Sequence, residues 1–96
     1  MKNLSTYIVF EKKSDIPKEL IDFLQKRYYK NSQKYWIEPK DNESCVLSTS
    51  WSNRSYSFID ANSPSFFSDN PHISWTMCRT KCETIEEFMN FINNVN

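Results

Sequence analysis

The sequence predicts an α+β fold, a single small domain over residues 1–96 with an antiparallel-rich sheet of about five strands and two helices, in the order β-α-β-β-β-β-α. Three observations carry that prediction. Residues 45–60 and 72–82 alternate apolar and polar with period two, as strands do. Residues 16–29 and 85–95 place apolar side chains three and four apart, as helices do. Ninety-six residues are enough for one core and too few for two.

Ser5 to Glu11, STYIVFE, is β-branched and aromatic with apolar residues at both parities, which suits a central strand covered on both faces. Ser14 or Asp15 can cap the next segment, and Pro17 fits a first helical turn. Ile16, Leu20, Phe23, Leu24, Arg27 and Tyr28 then recur at helical spacing, predicting a helix from Ile16 to Tyr29. Gln33 to Glu38 reads as a second strand, stopped by Pro39 and the polar turn Lys40-Asp41-Asn42-Glu43.

Cys45 to Trp51 and Ser55 to Asp60 form a hairpin around Ser52-Asn53-Arg54, with Trp51 opposite Tyr56, Thr49 opposite Phe58 and Leu47 opposite Asp60. One face then holds Leu47, Thr49, Trp51, Tyr56 and Phe58 and is assigned to the core. The other is mostly hydroxyls, Ser48, Ser50, Ser52, Ser55 and Ser57, and is expected to face water. Residues 61–71, ANSPSFFSDNP, read as an irregular loop, and His72 to Cys82 as a further strand. Thr84 and Glu87 make a capping box before the stripe Ile85, Phe88, Met89, Ile92 and Val95 of the closing helix.

Composition narrows the chemistry. The chain has no glycine, so phosphate-cradling loops, dinucleotide fingerprints and nucleophile elbows are excluded, and no cofactor is expected. No apolar run is long enough for a membrane span, and the N-terminal apolar stretch is too short for a signal peptide. Three cysteines leave one unpaired in any disulfide scheme, which favours a reducing, cytoplasmic setting.

Cys45, His72, Cys78 and Cys82 are zinc-competent residue types, but Cys78 and Cys82 on one extended strand stand roughly 13 Å apart, too far to share an ion. No metal site is expected. Nor does a catalytic set assemble, because His72 is the sole histidine and no base is placed beside a serine or thiol; the chain reads as a non-enzyme.

Two binding readings remain. The first is a protein-binding module, a stoichiometric inhibitor or regulator of the kind phages and mobile elements direct at host factors or that serves as an immunity protein. Its candidate contacts are Asn53, Arg54, Asp60, Phe66, Phe67 and Asp69. The alternative is an RNA- or DNA-binding accessory protein using Lys26, Arg27, Tyr29, Lys30, Lys34 and Trp36, where cations alternate with stacking faces. Charge is divided to match: residues 1–40 hold nine lysines and arginines against five acids, and residues 41–96 hold three against seven, with zero net charge. Helix-end cations also complement the negative end of a helix dipole without any ligand.

Overall fold

A computed structural model of the protein describes residues 4–31, 38–63 and 76–95. The described elements are β1 (Thr6–Phe10), α1 (Lys18–Gln25), β2 (Tyr29–Lys30), β3 (Cys45–Ser50), β4 (Ser55–Asp60), β5 (Thr80–Cys82) and α2 (Ile85–Val95). The α+β class with two helices is as predicted, but the order differs in detail, since the second described strand is Tyr29–Lys30, a segment predicted to end the first helix. The five strands form one sheet in the spatial order β2-β4-β3-β1-β5.

That sheet is mixed, not antiparallel-rich. β1–β3 and β3–β4 are antiparallel, whereas β1–β5 and β2–β4 are parallel. The hairpin pattern legible in residues 45–60 covers only the middle of the sheet. Its flanks are filled by short strands that reach their partners from far along the chain.

Both helices lie on one face. Ile8, Cys45, Leu47, Tyr56, Phe58 and Cys82 from the sheet pack with Leu20 and Leu24 of α1 and with Phe88 and Ile92 of α2. In and around α1 the buried residues Ile16, Leu20, Leu24 and Tyr28 are four apart, a single stripe toward the sheet. The helix is shorter than the predicted Ile16–Tyr29. Pro17 caps it with extended backbone (φ −64°, ψ 144°), and its carbonyl accepts from the Leu20 and Ile21 amides. At the other end the Arg27 and Tyr28 amides both turn to the Leu24 carbonyl, after which Tyr29–Lys30 extends into β2. A strand partner captures what periodicity alone would leave helical.

The hairpin keeps its predicted faces and shifts its register by two residues. Thr49 faces Tyr56, Leu47 faces Phe58 and Cys45 faces Asp60, so the connection is the four residues 51–54. Without glycine, the left-handed position falls on Arg54, at φ 55°. Trp51, expected in the aromatic core, instead leaves the strand half-buried. Its amide donates to Ser5 Oγ (2.9 Å) and its Nε1 to the Val95 carbonyl (3.1 Å), tying the turn to the end of α2.

The serine face is the second correction. Ser48, Ser55 and Ser57 are only 2%, 7% and 6% exposed, on the side where Tyr7, Val46 and Ile59 form a smaller apolar cluster. A wet face was expected because hydroxyls tolerate water, but they also tolerate burial when hydrogen-bonded: Ser55 Oγ donates to Asn53 Oδ1 at 2.6 Å. β1 is not covered on both faces along its length either, since Val9 is exposed.

The strand predicted over Gln33–Glu38 lies outside the described residues except for Glu38, which is in no strand. Of the strand predicted over His72–Cys82, residues 72–75 lie outside, Thr76–Cys78 is a 3-10 turn and only Thr80–Cys82 pairs, alongside β1. The turn breaks the expected alternation, leaving Cys78 exposed and Cys82 buried. The capping box forms with one change: the Glu87 amide donates to Thr84 Oγ1 (3.1 Å), while the Glu87 carboxylate accepts from the amide of Glu83 rather than of Thr84.

Candidate functional site

The end of α1, β2 and the hairpin tip meet at an open concavity of about 360 Å³ lined by Gln25, Lys26, Arg27, Tyr28, Tyr29 and Arg54. Backbone pairing builds it. The Tyr29 amide donates to the Arg54 carbonyl at 2.7 Å and the Asn31 amide to the Tyr56 carbonyl at 2.8 Å, so β2 holds the chain leaving α1 against the tip of the hairpin. Two sequence regions more than twenty residues apart thus share one wall.

The lining side chains differ in how firmly they are held. Tyr28 is buried in the core. Arg27 stacks its guanidinium 3.7 Å from the Phe23 ring centre and donates to the Phe23 carbonyl (2.9 Å) and Asn93 Oδ1 (3.3 Å). Those contacts fix the guanidinium while using two of its five N–H donors. Arg54 sits 5.2 Å from the Trp51 ring. Lys26 is exposed, and Tyr29 is 79% exposed on a backbone that the sheet immobilises.

The nucleic-acid set is therefore partly assembled. Lys26, Arg27 and Tyr29 line the concavity, and Arg54, from the protein-partner set, joins them. Lys30 does not: its Nζ bonds Glu38 (3.2 Å), which also takes Lys13 (3.0 Å), and both ammonium groups lie over the Phe58 ring at 5.4 and 5.2 Å. Lys34 and Trp36 lie outside the described residues. Lys30 was grouped with Lys26 and Arg27 because it follows them in one run at the end of the predicted helix, and the extension into β2 moves it away.

The protein-partner set is dispersed. Asn53 and Arg54 occupy the hairpin tip, whereas Asp60 is at the far end of β4, roughly 17 Å away by strand length, with Oδ1 accepting from the Asn62 amide. Phe66, Phe67 and Asp69 lie outside the described residues. Gln25 and Tyr28 are lining residues that sequence reasoning did not assign to a site. Tyr28 stands within the Lys26–Lys30 run of cations and rings but was assigned to the helix stripe, and Gln25 has no sequence signal.

The titration of Glu38 is moved by its two lysine partners. Burial alone would raise it, but the hydrogen bonds and charges of Lys13 and Lys30 outweigh burial and hold it below its ordinary 4.5. A depressed carboxyl contributes stability above its unfolded pKa and loses it as pH falls through the folded value. We expect the urea midpoint to fall below about pH 5, and Glu38→Gln to flatten that decline without a large change at pH 7. An unchanged pH profile in the variant would show that other carboxyls carry the acid sensitivity.

The three thiols differ in exposure: Cys45 and Cys82 are buried and Cys78 is exposed. Burial pushes the Cys45 thiol up to about 12, so it carries almost no thiolate at neutral pH. The Thr6 hydroxyl gives its proton to the Thr80 carbonyl (2.6 Å), which leaves the Cys82 thiol, 3.0 Å away, to donate to Thr6 Oγ1. Among the described residues no three metal-ligating side chains converge, and His72 lies outside them. Alkylation of the native protein should label exposed Cys78 first and reach Cys45 and Cys82 only on unfolding, as peptide mass mapping would read.

The fold and site define a small α+β domain with a mixed sheet and a basic, aromatic concavity at one end of it. No family model matches the chain, no curated protein matches its sequence, and no solved structure matches it at a significant level.

Proposed function

We propose that the protein is a small nucleic-acid-binding accessory module that acts by occupying its ligand rather than by turnover. The observation that supports this reading is the gathering of Lys26, Arg27 and Tyr29 with Arg54 around one open concavity. Cations supply the phosphate attraction that dominates nucleic-acid affinity, and an exposed ring supplies a stacking face. An overall neutral chain confines that attraction to one patch, which suits a weak, local contact rather than a broad electrostatic footprint.

The test is affinity capture with the full chain as bait, with and without nuclease, beside the variant Lys26→Glu/Arg54→Glu. Nuclease-sensitive capture that the double variant loses would support the reading. A milder variant separates binding from folding. Arg54→Gly removes a cation and also relieves a left-handed position, which is worth about 1–2 kcal/mol and is partly offset by the flexibility of unfolded glycine. Its melting temperature should stay level or rise while capture weakens.

The second reading is a stoichiometric protein inhibitor or regulator. What favours it is the zero net charge with cations concentrated in residues 1–40, together with the exposed Asn53-Arg54 tip. Such a surface would meet an acidic patch on a partner. Nuclease-resistant capture of one protein, lost on Arg54→Glu, would select this reading over the first.

A further inference from the structure

We propose that the concavity seats one unpaired nucleotide of a single strand, with the base stacked on Tyr29 and its flanking phosphates met by Lys26 and Arg54. This deepens the nucleic-acid reading and rests on it. The geometry points to a strand rather than a duplex for three reasons.

First, the site is concave. Duplex readers insert a projecting helix or ribbon into a groove, whereas an unpaired base enters a recess and lies on an aromatic wall. At about 360 Å³ the recess is at the low end of small-ligand pockets, so it takes a single unit and no face of a double helix.

Second, Tyr29 is a platform rather than a core residue. It is 79% exposed, yet its amide is fixed to the Arg54 carbonyl at 2.7 Å, so the ring is offered from a pinned backbone. A pinned ring loses less freedom on stacking than one on a loose loop. Burial provides no reason for a large aromatic at this position.

Third, cations line the same concavity as that ring. Arg54 is carried on the tip of the hairpin and Lys26 on the end of α1, while Arg27, held by Phe23 and Asn93, retains donors beyond the two it uses. Two or three neutralised phosphates predict a salt slope of about −1.4 to −2.1 for a single strand, far shallower than that of an extended basic surface.

The experiment is fluorescence anisotropy on the full chain with labelled oligo(dT) and oligo(U), a duplex of equal length and the free mononucleotide, across a salt series. Tyr29→Ala and Tyr29→Phe are compared, with circular dichroism confirming the fold. The expected result is preference for the single strands, the shallow slope above, about tenfold weaker binding for Tyr29→Ala and near-unchanged binding for Tyr29→Phe. Because Tyr29 is exposed, neither change should unfold the chain.

Duplex bound as tightly as single strand, or Tyr29→Ala binding like the parent, would overturn this inference and leave nucleic-acid binding standing. Mononucleotide bound as tightly as the strand would overturn the strand as ligand. Absence of binding to every nucleic acid would overturn both the inference and the reading beneath it, and capture of an acidic protein instead would identify what replaces them.

Discussion

Phe88→Ala should lower the unfolding free energy by about 3–5 kcal/mol, the range for truncating a fully buried aromatic. Phe88 is 0% exposed and projects from α2 into the cluster that also holds Ile8, Leu20, Leu24 and Ile92. Its removal deletes apolar contact and leaves a space that a chain bounded by strands on one side and two helices on the other can only partly close. A domain of this size has about 5–15 kcal/mol in hand, so the variant should lie near the edge of folding. Urea denaturation followed by tryptophan fluorescence would read the change. Phe91, half-buried on the same helix, should be affected less, and a loss below about 1 kcal/mol at Phe88 would mean that α2 does not pack on the sheet as described.

Thr49→Val should cost about 2–5 kcal/mol although it changes almost no volume. The β1–β3 ladder runs from Phe10 and Cys45 to Tyr7 and Ser48. Beyond it the Thr49 hydroxyl takes over, accepting from the Thr6 amide at 3.0 Å and donating to the Thr6 carbonyl at 3.1 Å. Both residues are almost wholly buried, so valine would leave an amide and a carbonyl without partners and without water. On the same residue, the Thr49 carbonyl is met by Arg79 Nε at 2.9 Å, so a second side chain substitutes for a strand. Thr49→Ser retains the hydroxyl and should lose about 1 kcal/mol or less. A valine variant as stable as the serine one would show that the hydroxyl is not the bridge between these strands.

Thr49 shows how far the sequence carries. Alternation correctly puts it on the same face as Leu47, Tyr56 and Phe58, yet nothing in a period-two pattern distinguishes a threonine that fills space from one that completes a ladder. The hairpin register follows the same logic. A shift of two residues preserves every face, so the pattern is blind to it, and the four-residue turn with Arg54 in the left-handed region decides it. Trp51 is lost from the aromatic face for that reason.

The candidate site was half legible. Lys26, Arg27 and Tyr29 stood together in the chain as an alternation of charge and ring, and Arg54 stood at a turn. That they share a wall depends on β2 pairing in parallel with β4, and a two-residue strand has no periodicity to read. Lys30 belonged to the same run and was drawn off to Glu38 by that pairing.

The order of residues alone sets which side chains form one apolar stripe per helix and one apolar face on the hairpin, where α2 begins, and that no glycine is on hand for a turn. These are local properties, written in spacings of two to four residues and in side-chain type. Tertiary packing settles that the flanking strands pair in parallel, that α1 stops at Gln25, that Ser48, Ser55 and Ser57 are buried, and that cations from two distant segments gather at one concavity. Each of those outcomes turns on which distant backbone satisfies an exposed N–H or C=O, a competition settled between segments and not within one.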